Sequence, residues 1–104
     1  MLKSINAILT ANTTTTLFTV ENGYEAAIVT MEFATSNASA QIIVTKHDGA
    51  ADVFTAKFSL SENDWLLIDN KIFLPSGYSL KITPDNSGVV ASVSLDVSKV
   101  STEE

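Results

Sequence analysis

The chain has 104 residues, no cysteine and a formal net charge of −6, and all six of its basic residues are lysines. That length buries a core without staples, and the missing cysteines exclude a disulfide framework, a thiolate metal site and a cysteine nucleophile. Without arginine there is no bidentate fork for phosphate or guanine, and the acidic balance repels a nucleic-acid backbone, so no direct nucleic-acid partner is expected. The same charge serves solubility or attraction to a basic partner surface.

Residues 1–13 carry one lysine and a short apolar patch broken by Asn6 and Thr10. This is well under the ~7–15 apolar residues of a signal-peptide core, and no run approaches the ~18–20 needed for a membrane span. The expectation is a chain made and kept in a cytoplasm, with no membrane partner. The sequons at Asn12 and Asn37 then read as ordinary polar loop residues.

Ile5, Ala7 and Leu9 alternate with polar or small neighbours and predict a first strand over residues 2–10. Residues 13–20 are threonine-rich and end Leu-Phe-Thr-Val, a composition that favours extended chain. Glu21-Asn22-Gly23 supplies a tight turn. Residues 24–35 interleave two sets, and the set Ala27, Val29, Met31 and Phe33 is the more apolar, so it is expected to point inward. A small-residue turn at 36–39 leads to a strand around Ile42, Ile43 and Val44. The Asp48-Gly49 step predicts a hairpin into residues 53–60, with Phe54, Ala56 and Phe58 on one side.

Ser61-Glu62-Asn63-Asp64 looks like a helix cap, but the apolar run after it is too short for a helix and reads as a loop entering a strand. Asp69-Asn70 predicts a turn or bulge before residues 71–74. Pro75-Ser76-Gly77 predicts a sharp turn between two strands, the second carrying Tyr78, Leu80 and Ile82 on its buried face. After the turn at 84–88, Val89, Ala91, Val93, Leu95 and Val97 line one face of a final strand, the clearest alternation in the chain. Seven or eight short strands without an amphipathic helical stretch predict a single-domain, all-β antiparallel sandwich, jelly-roll or immunoglobulin-like, over residues 1–98. Residues 1–6 are a candidate N-terminal arm and 99–104 a short acidic tail.

Chemistry-bearing constellations are sparse. His47 is the only histidine, beside Asp48 and near Asp52 in a hairpin tip, and a zinc site wants three or four ligands. The acidic turns at 48–52 and 85–88 lack the ligand spacing of a calcium loop, and no nucleophile elbow or phosphate-cradling glycine loop occurs. Glu62 and Asp64 beside Trp65 form the densest acidic pair, which as a glycosidase would need a cleft that a sandwich of this size rarely builds. No catalytic residue, metal or cofactor is therefore expected, and the chain reads as a non-enzyme. Trp65, with Asp64 and Asn63, could alternatively stack on a sugar.

Four stretches together carry a resemblance: the threonine-rich approach and glycine turn at 13–24, the long strand and small-residue turn at 26–40, the apolar run, Pro-x-Gly turn and alternating strand at 72–83, and the glycine-led Val/Ser strand at 88–97. In these the chain resembles the small β-sandwich proteins encoded among the structural genes of tailed bacteriophages. The resemblance implies a capsid decoration (cement) protein, often a homotrimer, that sits on the outer face of the shell and bridges neighbouring subunits of the major capsid protein. Tail, neck or fibre components are similar. It carries no catalytic residues. Apolar residues on both faces of the 26–33 strand and of residues 65–68 exceed what one sandwich face requires, and Leu2, Ile5, Trp65 and Leu67 are the candidate interface residues.

Overall fold

A computed structural model describes residues 1–36, 39–69 and 71–100. Among them are β1 (Leu2–Ile8), β2 (Thr15–Thr19), β3 (Tyr24–Thr35), β4 (Ala40–His47), β5 (Asp52–Leu60), β6 (Trp65–Ile68), β7 (Ile72–Leu74), β8 (Ser79–Pro84) and β9 (Val89–Lys99). No helix among the described residues is long and apolar enough to cross a membrane. Sheet A runs β1-β9-β3-β6, with β7 also on β3; sheet B runs β2-β8-β4-β5, and every pairing is antiparallel.

β6 covers residues 31–34 of β3, and β7 covers residues 26–28 of the same strand. The two are halves of one strand, broken where Asp69-Asn70 was expected to turn or bulge; Asn70 lies outside the described residues. Counted that way there are eight strands in four nested pairs: β4 with β5, β3 with β6/β7, β8 with β2, and β9 with β1. One long hairpin whose tip is the 48–51 turn has been folded over into two layers, which is a jelly roll. The immunoglobulin alternative places its first two strands in one sheet. Here β1 and β2 lie in opposite sheets.

The period-two patterns place the core between the layers. Val89, Ala91, Val93 and Leu95 of β9 are buried, and they face Ile42 and Val44 of β4 and Leu80 and Ile82 of β8 within one cluster. Each large side chain removed from water in this way contributes about 1.5–3 kcal/mol.

β3 departs from the expected pattern. Its buried residues are Ala26 and Ile28 in the first half and Met31, Phe33 and Thr35 in the second, because the register with β9 shifts between Ile28 and Thr30. Val29 is the extra residue of a β-bulge, and a one-residue insertion moves every later side chain to the other face. Ala27 and Val29 are therefore not on the inward set. The apolar residues on both parities of β3 mostly serve this one core, so they supply no argument for a second buried face.

Pro75-Ser76-Gly77 turns the chain, but between layers: β7 belongs to sheet A and β8 to sheet B. The Tyr78 amide donates to the Pro75 carbonyl at 3.1 Å, and Gly77 sits at φ 83°, a conformation that disfavours any residue with a Cβ. The Gly77 amide donates to Val20 O, the Val20 amide to Tyr78 O, and Ser76 Oγ to the Tyr24 carbonyl, which ties this arch to the 20–24 turn. At the ends of the chain, residues 2–6 lie in the sheet along β9, and Ser98 and Lys99 still pair with Glu25 and Tyr24. Strand therefore runs one residue past the expected domain limit of 98. Residues 101–104 of the expected tail lie outside the described residues, as do Asn37 and Ala38 of the expected 36–39 turn.

Candidate protein-interaction surface

The outer face of sheet A can be read across its strands from the pairing registers. Ile8 opposes Val90, Val90 opposes Ala34, and Ala34 opposes Trp65, so four apolar residues stand side by side across four strands. At the strand spacing of a β-sheet this row spans about 14 Å. The next row inward along the strands is Asn6, Ser92, Glu32 and Leu67, the next is Ser4, Ser94 and Thr30, and the far row is Leu2, Asp96, Ala27 and Phe73. The face therefore has a dry row at one end, a largely polar middle and, at the other end, Leu2 parted by Asp96 from Ala27 and Phe73. No lysine stands in any of these rows.

The dry row is exposed where its side chains are large. Ile8 is 83% accessible and Trp65 62%, with Val90 and Leu67 close to half exposed. Between the two ends, small Ala34 and Ser92 leave a shallow depression of about 150 Å³ bounded by Glu32, Phe33, Trp65 and Val90. Contiguous apolar side chains exposed on an otherwise polar face are the feature a docking role would use.

Trp65 is held in position by its loop. Asn63 takes a left-handed φ of 56°, and the Asp64 amide donates to the Ser61 carbonyl at 3.2 Å, closing a turn. Thr35 Oγ1 donates to Ser61 O at 2.8 Å and the Thr35 amide to Asp64 O at 3.0 Å, which fastens that turn to the end of β3. Asp64 Oδ1 accepts the Trp65 amide at 2.8 Å, and Trp65 Nε1–H donates to Glu32 Oε2 at 3.2 Å. The indole is thus oriented from both ends while its face stays open, an arrangement suited to an anchor that loses little freedom on binding.

Of the four sequence-derived interface residues, Trp65 and Leu67 share this end of the outer face. Leu2, 70% accessible, lies on the same face at its far end, opposite Asp96. Ile5 points inward and packs on the core. Ile8, Val90 and Phe73 had not been singled out. Parity was the available signal: Ile8 falls out of phase with Ile5, Ala7 and Leu9, and Val90 is the one large apolar residue on the otherwise polar face of β9.

The acid-base candidates lie elsewhere. His47 Nδ1 is 2.9 Å from Asp52 Oδ1, joining β4 to β5 on the outer face of sheet B. Asp48 Oδ1 accepts the amides of Ala50 and Ala51, both at 2.8 Å, and these backbone donors, Ala51 first, hold its carboxyl below the usual carboxylate range. That is turn chemistry at the hairpin tip. Among the described residues no group of three or more His, Asp or Glu converges to hold a metal ion. Asp64 is committed to the loop it closes. Comparison with protein-family models and with curated protein sequences gives no match.

Proposed function

We propose that this chain is a non-enzymatic structural subunit that docks another protein on the outer face of sheet A, and specifically that it is a capsid decoration protein of a tailed bacteriophage. In that role it binds the outer surface of the shell, across neighbouring subunits of the major capsid protein, and stiffens the lattice. The observation that carries a docking role is the row Ile8–Val90–Ala34–Trp65 with Leu67 beside it, exposed on a face that is otherwise polar. A partner that fits presents an apolar knob for the depression between Val90 and Trp65. It also presents a basic group for Glu32, since the face holds carboxylates and no lysine.

The capsid assignment, and assembly as a homotrimer, rest on the sequence resemblance, with which a jelly roll is compatible. Co-sedimentation with capsids that lack the protein tests the reading. Saturable binding at a stoichiometry matching the symmetry axes is expected, weakened at least about tenfold by Ile8→Lys, which places a charge in the dry row. Absence of binding overturns the capsid role and turns attention to tail, neck or fibre, where labelling of whole virions would find the protein.

A second reading is favoured by one feature, the open indole of Trp65 beside a carboxylate and the Ser92 hydroxyl, which is also how a sugar ring is stacked and hydrogen-bonded. Glycan-array binding lost on Trp65→Ala would favour it.

A further inference from the structure

β5 is the outer edge of sheet B, with Asp52, Val53, Phe54, Thr55, Lys57 and Ser59 all exposed. Phe54 lies on the inner side, opposite Lys46, yet is 55% accessible. It stands at the mouth of an apolar cleft of about 270 Å³ between the sheets, lined also by Met31, Val44, Phe58, Ile68 and Ile72. A solvent-facing edge strand with an unroofed phenylalanine is unpaired on two counts, backbone and side chain.

The register of β5 determines which partner fits. Lys46 opposes Phe54 but His47 opposes Asp52, so Val53 is a bulge residue and Asp52 shares the outer face with Thr55 and Lys57. We propose that β5 pairs antiparallel with β5 of a second copy of this chain, about a two-fold axis through Thr55. Thr55 then opposes its own copy, Phe54 opposes the small Ala56, and Asp52 opposes Lys57 once the bulge is skipped; symmetry makes each of the last two contacts twice. Shifting the axis one residue to Ala56 leaves Lys57 opposite Thr55, so that it has no carboxylate across the seam and Asp52 keeps only His47 of its own chain. Shifting it to Lys57 sets lysine against lysine. Only the Thr55 register is complementary in charge, and it brings a Phe54 from each copy over the open clefts. A lysine and a bulge on an edge also serve to keep strands apart. The charge opposite Lys57 decides between pairing and repulsion, and in this register that charge is Asp52.

The proposal does not depend on the face of sheet A; it is an alternative to assembly as a homotrimer, and the oligomeric mass separates the two while leaving capsid binding to its own assay. Sedimentation equilibrium of the full chain from about 1 µM to 1 mM is expected to give a reversible monomer–dimer equilibrium. Lys57→Glu and Asp52→Lys should each weaken association about tenfold, because each replaces two attractive cross-strand pairs by two repulsive ones. The combined charge swap should bring it back to within about threefold of the parent. Circular dichroism of each variant confirms that it is folded. Because the chain has no cysteine, Thr55→Cys adds an independent measurement: oxidation should yield a disulfide-linked dimer, the two Cβ atoms being cross-strand neighbours. A parent that sediments only as monomer or as trimer overturns the proposal, as does a dimer indifferent to both single changes or a double variant that fails to recover.

Discussion

The outer faces of the two sheets are built on similar pleated frames and differ in what they do with their polar groups. On sheet B, Thr14 and Thr83 share a hydrogen bond at 2.8 Å, Thr19 and Ser79 another at 3.0 Å, and His47 meets Asp52. Lys81 sits among these threonines in a broad hollow of about 470 Å³, where Ile43 is the only large apolar side chain. On sheet A the cross-strand neighbours at one end are Ile8, Val90, Ala34 and Trp65, which satisfy nothing among themselves and remain in water. A face whose hydroxyls already bind one another gains little by shedding water. The sheet A row gains by it, which is why docking is proposed there.

The sharpest way to break the comparison is to shift the register that sets which residues of β3 face outward. Inserting one alanine between Met31 and Glu32 forces one half of the strand to turn over, so that either Ala26, Ile28 and Met31 or Phe33 and Thr35 leave the core. We expect at least about 5 kcal/mol of lost stability and failure to fold, measured by urea denaturation and circular dichroism. A cooperative, near-parental transition would show that the pairing with β9 is not what fixes the face.

A paired substitution sharpens the comparison. Trp65→Ala on one face and Lys81→Ala on the other both alter exposed or half-exposed side chains, and each should change unfolding free energy by no more than about 0.5 kcal/mol. Only Trp65→Ala should impair docking, by at least about tenfold in the capsid assay. Equal losses from both would remove the distinction between the faces.

The smallest effect expected is a pH dependence at the hairpin tip. The Asp48 carboxyl is held below its ordinary value by the Ala51 and Ala50 amides. Its contribution to stability is therefore complete above the unfolded-state pKa, about 3.9, and is lost as pH falls through the lower folded value. Melting temperatures followed into that acid range should fall less steeply for Asp48→Ala than for the parent.

Much of the architecture was legible because its signals are local. Val89 to Leu95 alternate cleanly, and Asp48-Gly49 and Pro75-Ser76-Gly77 are turn chemistry that acts within four residues. What local signals could not carry was the partner. The same Pro-Ser-Gly turn would serve a hairpin, and only the packing of β8 on β4 and β2 makes it an arch between layers. The bulge at Val29 was hidden because both parities of β3 are apolar, so either choice of inward face satisfied the pattern. Lys99 reads as tail because its strand character comes from pairing with β3 and not from its own propensity. For the surface, Trp65 and Leu67 were found from a doubled pattern, whereas the row they belong to exists only once β1, β9, β3 and β6 are set side by side.

The nesting of strand pairs governs how the molecule comes into being. Of the nine described strands β9 is the last to be synthesised, yet it lies between β1 and β3 and contacts both. Until it arrives, β1 has no neighbour in its sheet, and the inner side chains of β3 have only half a wall to pack on. Sheet B can be assembled from β2, β4, β5 and β8 beforehand, starting from the β4–β5 hairpin. Closure of sheet A thus waits on the contact between β1 and β9, a topology of high contact order that folds in about milliseconds to seconds. During that interval the apolar side of β3 is exposed, and the time a nascent chain spends there sets its exposure to aggregation.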